Sequence, residues 1–214
     1  MMLMTPPGVF RPISDSWMLA AAAEREQLSP GHRALDLCTG SGVVAIAAAR
    51  SGAHASAVDV SRRAAAAAWV NARLNGQRVR VRSGHLFDPV ADERFELITS
   101  NPPYVPAPTD DLPRTGAARA WVAGWDGRTI LDEICDRAPD HLVPGGRILL
   151  VHSSLIGEGR TIDRLERAGL RDVAVVDRHH GPLGPLMREQ QQFETIPADI
   201  EAEDVVVIRG VACG

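Results

Sequence analysis

Short apolar runs alternate with helical stretches along this chain, and the first run ends in a glycine turn that opens directly into a helix. Seven runs read as strands: Arg33–Cys38, His54–Asp59, Gln77–Ser83, Phe95–Ser100, Arg147–His152, Val173–Asp177 and Val205–Arg209. Helices are expected over Ser14–Gln27 (capped by Ser14 or Asp15), over Val43–Arg50, from the Ser61 cap to about Asn75, over about Thr129–Ala138 and near Glu158–Ala168. Gly40-Ser41-Gly42 makes the first strand-to-helix turn, and Gly145-Gly146 leads into the fifth strand. This alternation predicts an α/β fold with a seven-stranded, mostly parallel sheet, helices on both faces and an antiparallel last strand. With no internal repeat and no linker, residues 1–214 are expected to form a single domain.

Composition narrows what such a domain does. A hydrophobic content of 45% over 214 residues is enough for a normal core. The net charge of −4 argues against sequence-independent grip on nucleic acid, which depends on many phosphate-neutralising cations. All 23 basic residues are arginine, which removes Schiff-base chemistry and a P-loop lysine. Cys38, Cys135 and Cys213 show no zinc spacing and read as reduced thiols. The first residues lack the pattern of a signal peptide, and no stretch approaches the ~20 apolar residues that span a bilayer. A soluble, cytoplasmic protein is expected. Arg78, Arg80 and Arg82 alternate along the third strand and share one face; a charged edge strand explains them more simply than a nucleic-acid patch.

In a sheet of this kind ligands sit at the carboxyl ends of the strands, where the chain order reverses. The residues just past each strand are therefore the informative ones: Asp36 to Gly42, Asp59, His85 to Asp88, Asn101 to Tyr104 and His152. All of them are expected to converge on one edge.

Gly40-Ser41-Gly42-Val43-Val44-Ala45 fits G-x-G-x-x-A between a strand and a helix, with Asp59 closing the next strand. The pattern serves a dinucleotide fingerprint, or a merely structural turn, as well as other cofactors. Asp36 separates them. A carboxylate at the end of the first strand repels a pyrophosphate, whereas it favours the ammonium and sulfonium of S-adenosylmethionine. The glycines let the backbone approach the methionine and ribose portions, and Asp59 is placed to accept from ribose hydroxyls.

Asn101-Pro102-Pro103-Tyr104 follows the fourth strand immediately. As a structural element it is a rigid turn that stops a strand. Its residue types also suit a specific chemistry. An amide or aromatic amino nitrogen has a delocalised lone pair and attacks poorly. Accepting its N–H bonds on the Asn101 side-chain oxygen and the Pro102 carbonyl would hold that nitrogen toward a methyl donor, while Tyr104 packs on the planar group.

Asp36-Leu37-Cys38-Thr39-Gly40-Ser41-Gly42, Asp59 and Asn101-Pro102-Pro103-Tyr104 together resemble class I S-adenosylmethionine-dependent methyltransferases. More narrowly, they resemble the HemK-like protein-glutamine N5-methyltransferases, in the short single-domain branch. The likeness runs roughly from Val9 to Gly181. It includes Phe10-Arg11-Pro12-Ile13-Ser14-Asp15-Ser16, similar to a family segment whose acid and following hydroxyl reach the cofactor, and Ala120-Trp121 with Gly124-Trp125-Asp126-Gly127-Arg128. The resemblance implies a Rossmann-like fold. It implies S-adenosylmethionine bound by Asp15, Ser16, Asp36, Cys38, Thr39, Gly40, Gly42, Asp59, Val60, His85, Leu86 and Asn101, with Asn101, Pro102, Pro103 and Tyr104 catalytic and no metal. It also implies a protein partner such as a release factor. A small metabolite or a nucleobase amino group is the alternative acceptor, and a binding module or a nicotinamide oxidoreductase are the rivals from other classes.

Three features depart from that family. His85 stands where an acid commonly approaches the adenine amino group, with Asp88 nearby. Arg11 replaces an acid before Pro12. A long connection, Arg178 to Asp204, separates the last two strands; it should start on the cofactor edge and cover the substrate. It contains the pair His179-His180, for which no third metal ligand is evident.

Overall fold

The central strands are buried at nearly every position because both of their faces are covered. The computed structural model describes residues 1–114 and 116–214. Its strands are β1 (Arg33–Leu37), β2 (His54–Asp59), β3 (Val79–Ser83), β4 (Phe95–Ser100), β5 (Leu142–Ser153), β6 (Leu170–Pro182) and β7 (Ala202–Ala212). They form one seven-stranded sheet in the order β3-β2-β1-β4-β5-β7-β6. Strands β3 through β5 are parallel, and β7 runs antiparallel to both neighbours. The expected architecture holds, and the order reverses between β1 and β4, which is where a parallel sheet opens a crevice.

Helices α1 (Ser14–Arg25) and α2 (Val43–Arg50) bury Leu19, Ala23, Val44 and Ala47 against Leu97, Leu149, Val151 and Val207 on one face. On the other face, α4 (Thr129–Arg137) and α5 (Glu158–Arg167) supply Leu131, Ile134 and Leu165, which pack on Leu37, Ile98, Ile148 and Ile208. Helix α3 (Arg62–Leu74), capped by Ser61, packs beside α2 against β2 and β3.

Four boundaries differ from expectation, each for a local reason. Helix α1 has Ile13 at its cap position with no side-chain bond, because Asp15 is turned to another partner described below. Strand β3 begins at Val79, since Gly76 takes φ +68° and the Gln77 N–H closes the last turn of α3 on the Ala72 carbonyl. Strand β5 begins at Leu142, before the glycine pair, and the register against β4 shifts there; a Cβ on Gly146 would lie 2.8 Å from the Val143 carbonyl and 2.9 Å from that of Phe95. Strands β6 and β7 pair from Leu170 with Ala212 to Pro182 with Ala202, absorbing both ends of the long connection. What remains is residues 183–201, which carry an additional short helix, α6 (Pro185–Gln190). At the opposite edge, Arg80 and Arg82 of β3 pair with Glu93, as suits a charged edge strand.

Candidate active site

The carboxyl ends of β1 to β4 open onto one crevice of about 1730 Å³. Sites for a single small molecule run to ~1,000 Å³, so there is room here for a cofactor and an acceptor together. Its walls bring together Asp15, Ser16, Asp36, Cys38, Thr39, Gly40, Asp59, Val60, His85, Leu86 and the whole of Asn101-Pro102-Pro103-Tyr104. Gly42, Asp88 and His152 are not among them.

The turn after β1 is built to expose backbone. Cys38 and Gly40 both take φ +53° and Gly42 takes φ +83°, so the chain bends sharply before α2 begins. The Gly40 N–H donates to Asp59 Oδ2 at 2.9 Å and the Ser61 N–H to Asp59 Oδ1 at 2.8 Å, which ties the ends of β1 and β2 together. Burial pushes the Asp59 carboxyl up, against those two bonds. Gly42 faces away from the crevice, toward α3, where a Cβ would meet the Ala68 Cβ at 2.9 Å and its Cα at 3.0 Å. Gly42→Ala is therefore expected to cost about 1–3 kcal/mol of stability from strain and overpacking, read as a lower denaturation midpoint.

Asp36 lies at the floor of the crevice, only 3% exposed. Thr39 Oγ1 donates to its Oδ2 at 2.5 Å and Thr99 Oγ1 to its Oδ1 at 2.8 Å. Burial outweighs these bonds and raises the carboxyl to about 7, with the nearby charge of Asp59 adding to the push. A buried acid of this kind is a place where a cation is strongly favoured. Beside it, burial also raises the Cys38 thiol, which keeps it protonated and unreactive.

The corner after β4 is gripped by the first turn of α1. Asn101 Nδ2 donates to Ser16 Oγ at 3.1 Å, and the Tyr104 hydroxyl donates to Asp15 Oδ2. Asp15 and Ser16 are both buried. Burial and the Asp15 carboxylate push the Tyr104 phenol well above its usual range, so it stays a donor. Expected as a surface to pack on a planar group, Tyr104 is thus also fixed by its hydroxyl. Behind the corner, Gly127 takes φ +70° and comes so close that a Cβ there would lie 2.4 Å from the Tyr104 carbonyl.

The loop after β3 places His85 and Leu86 on the crevice wall, with Leu86 at φ +41°. His85 Nε2 sits 2.9 Å from both carboxylate oxygens of Glu133. Asp88 pairs with Arg137 at 2.7 Å. His152 leaves the edge as well: it is fully buried, its Nε2 lies 3.0 Å from Thr161 Oγ1, and burial lowers its pKa to about 4. Of the histidine pair, His179 lines the crevice and His180 pairs with Asp204 at 2.7 Å. Leu183 to Met187, from the connection after β6, line the crevice too.

Sequence reasoning placed Arg128 in a family segment but gave it no role. Its side chain is 2% exposed and donates to the Ile156 and Gly157 carbonyls, to Thr161 and to Asp132. It joins the loop beneath the Tyr104 corner to the start of α5. An arginine next to Gly127 at a helix start was the available signal, but nothing local in the sequence says that it is buried.

A family model described as the methyltransferase small domain matches residues 2–112. A Methanocaldococcus jannaschii chain, provisionally named a protein N5-glutamine methyltransferase, is 32% identical over 85% of this chain and 90% of its own length. The release factor glutamine methyltransferase of Geobacter sulfurreducens is 37% identical over 73% of this chain, which spans 56% of that enzyme. Among solved structures, a chain from the E. cuniculi complex responsible for methylating a translation termination factor superposes with a TM-score of 0.65 at 22% identity, covering 96% of this chain and 99% of that one. No helix among the described residues is long and apolar enough to cross a membrane. The matched segment contains the glycine turn, Asp59 and the Asn-Pro-Pro-Tyr corner, and the chain belongs to the methyltransferase small domain family of S-adenosylmethionine-dependent methyltransferases.

Proposed function

We propose that the crevice holds S-adenosylmethionine across the ends of β1 and β2, and that the Asn101–Tyr104 corner presents to it the side-chain amide nitrogen of a glutamine in a protein. One observation carries this reading. Asn101 commits its N–H to Ser16, while its Oδ1 and the Pro102 carbonyl accept no hydrogen bond among the described residues. Two free acceptors on a rigid wall suit a planar group with two N–H bonds to give. The residues also fit the cofactor: the glycine turn offers exposed backbone, Asp59 keeps spare lone pairs for ribose hydroxyls, and Asp36 favours a cation. When bound, S-adenosylmethionine supplies a methyl group on a positively charged sulfur.

Every other part of the chemistry falls to the protein. Asn101 and Pro102 take the two N–H bonds and fix the direction of the nitrogen; Ser16 fixes Asn101; Asp15 fixes Tyr104. No strong base is needed before attack, because the nitrogen becomes acidic as it gains the methyl. Leu183 to Met187 and His179, which line the same crevice, are read as its acceptor-side wall. Relatives named as glutamine methyltransferases support the choice of acceptor, and residues 1–214 are read as one catalytic unit acting in the cytoplasm on a partner such as a release factor. The test incubates the enzyme and labelled cofactor with lysate separately depleted of protein, RNA or small molecules. Label recovered as methylglutamine in protein supports the reading; label confined to RNA or to small molecules rejects it.

Asp36 gives this reading a pH dependence. A cation beside it favours the ionised form, whereas the free protein protonates it below about pH 7. Binding below that pH must expel a proton, so affinity for the cofactor is expected to rise as pH rises through 7. The limiting slope is about tenfold per pH unit on the acid side. Calorimetry between pH 6 and 8 measures it. Asp59 shifts in the same direction, so Asp36→Asn identifies the group by flattening the profile.

A further inference from the structure

Residues 2–13 run outside the sheet, and their first few are tied down in an unusual way. Asn75 Oδ1 accepts the Met2 N–H at 2.9 Å, and Asn75 Nδ2 donates to the Met2 carbonyl at 2.6 Å. One turn earlier on α3, Asn71 does the same for Met4, at 2.7 and 3.0 Å. Residues four apart on a helix share a face, and residues two apart on an extended segment point their peptide groups to the same side. The two asparagines therefore engage Met2 and Met4 as a neighbouring strand would. Asn71 is fully buried and also donates to the Ser41 carbonyl at 2.8 Å, in the glycine turn.

From Met4 the chain heads for the opposite end of α3. Gly8 passes Arg63, whose guanidinium would lie 3.7 Å from a Cβ there, and Phe10 passes Gly40 at a comparable 4.0 Å. The path ends in α1, where Asp15 and Ser16 hold Tyr104 and Asn101. Between these anchors, Pro7, Gly8 and Phe10 to Ser14 line the crevice, while Pro6, Pro7 and Gly8 are exposed to solvent. The segment is pinned at both ends and loosely held between them.

We infer that Asn71 and Asn75 are a latch that holds residues 2–13 as a strap across the cofactor side of the crevice, and that they govern cofactor release without touching the cofactor. They are positioning residues, and the inference rests on reading the crevice as the S-adenosylmethionine site. Opening the strap requires breaking four side-chain bonds to Met2 and Met4 and lifting Leu3 off the core residues it packs against.

The test measures release of S-adenosylhomocysteine by stopped-flow displacement from the full chain, from Asn75→Ala, from Asn71→Ala/Asn75→Ala, and from a variant lacking residues 1–4. The shortened variant keeps the bond from Asn71 to Ser41, so it separates the latch from any disturbance of the glycine turn. Dissociation is expected to quicken by a few fold in Asn75→Ala, which loses two of the four bonds, and by about tenfold in the double and shortened variants, which lose all four, since each exchanged bond is worth little net of water. Combining Asn75→Ala, which leaves the Asn71–Ser41 bond in place, with the shortening should add nothing more. Amide exchange of residues 5–13 should rise in all of these variants even without ligand. Unchanged dissociation, unchanged exchange, or effects that multiply when combined would overturn the latch. If the unaltered chain fails to bind, the cofactor reading falls and the latch with it; if it binds and the variants release at the same rate, the latch alone falls.

Discussion

Asn101→Ala is expected to lower turnover by about 10²- to 10³-fold while leaving the calorimetric affinity for S-adenosylmethionine nearly unchanged. The magnitude follows from what the side chain is there to do. A group that fixes the reacting atom acts mainly in the transition state, and losing one such preorganised polar contact costs on the order of 10²–10³ in kcat. The amide of Asn101 is oriented by Ser16, and the proposed reading leaves its remaining oxygen to the acceptor and the cofactor to Asp36 and Asp59. Truncation therefore releases the acceptor nitrogen and disturbs the cofactor little. Ser16→Ala should reproduce a smaller part of the loss, because it frees Asn101 to turn without removing its oxygen. Full turnover in Asn101→Ala would take this residue out of the chemistry and leave the corner as a turn that merely ends β4.

Arg128→Met is expected to be the most destabilising single change among the buried polar residues, at about 3–5 kcal/mol, because it strips one partner from a buried charged network. The guanidinium satisfies the Ile156 carbonyl at 2.9 Å, that of Gly157 at 3.2 Å and Thr161 at 3.1 Å, and it pairs with Asp132 at 2.7 Å. Methionine fills the volume and offers none of those donors. At roughly 2–4 °C per kcal/mol for a chain of this size, the thermal midpoint should fall on the order of 10 °C. Arg160→Ala is the control. Arg160 and its partner Asp126 both lie in solvent, and exposed ion pairs contribute at most ~1 kcal/mol. Comparable losses in the two variants would mean that Arg128 is only another surface arginine. Because Arg128 follows Gly127, which lies against the Tyr104 carbonyl, partial unfolding of its network should also loosen the Asn101–Tyr104 corner before the glycine turn.

The contrast between Arg128 and Asn101 marks what the sequence makes legible. Asn101 follows an apolar run directly and carries two prolines after it, so its position past a strand end is fixed by neighbours in the chain. The glycine turn and Asp59 are readable for the same reason, and the topology then places them on one edge. Arg128, Glu133 and Asn71 depend on partners 28 to 67 residues away, and no local pattern records those distances. His152 shows the opposite failure. Its place at the end of β5 suggested the crevice, but β7 lies antiparallel alongside and Thr161 captures its ring, turning it into the core. The long connection was legible in length and in starting edge. Its division into strand extensions and α6 was not, because pairing between β6 and β7 decides where each strand stops and the polar residues there give no periodic signal.

The phenol bonded to Asp15 belongs to the chain's sole tyrosine. Ultraviolet titration, nitration or any other tyrosine-selective probe therefore reports from one spot, and that spot is the corner after β4. Its ionisation needs unusually alkaline solution, and any molecule that fills the corner or any rotation of α1 will move that threshold. The enzyme thus carries its own optical gauge, readable without a label or an added chromophore.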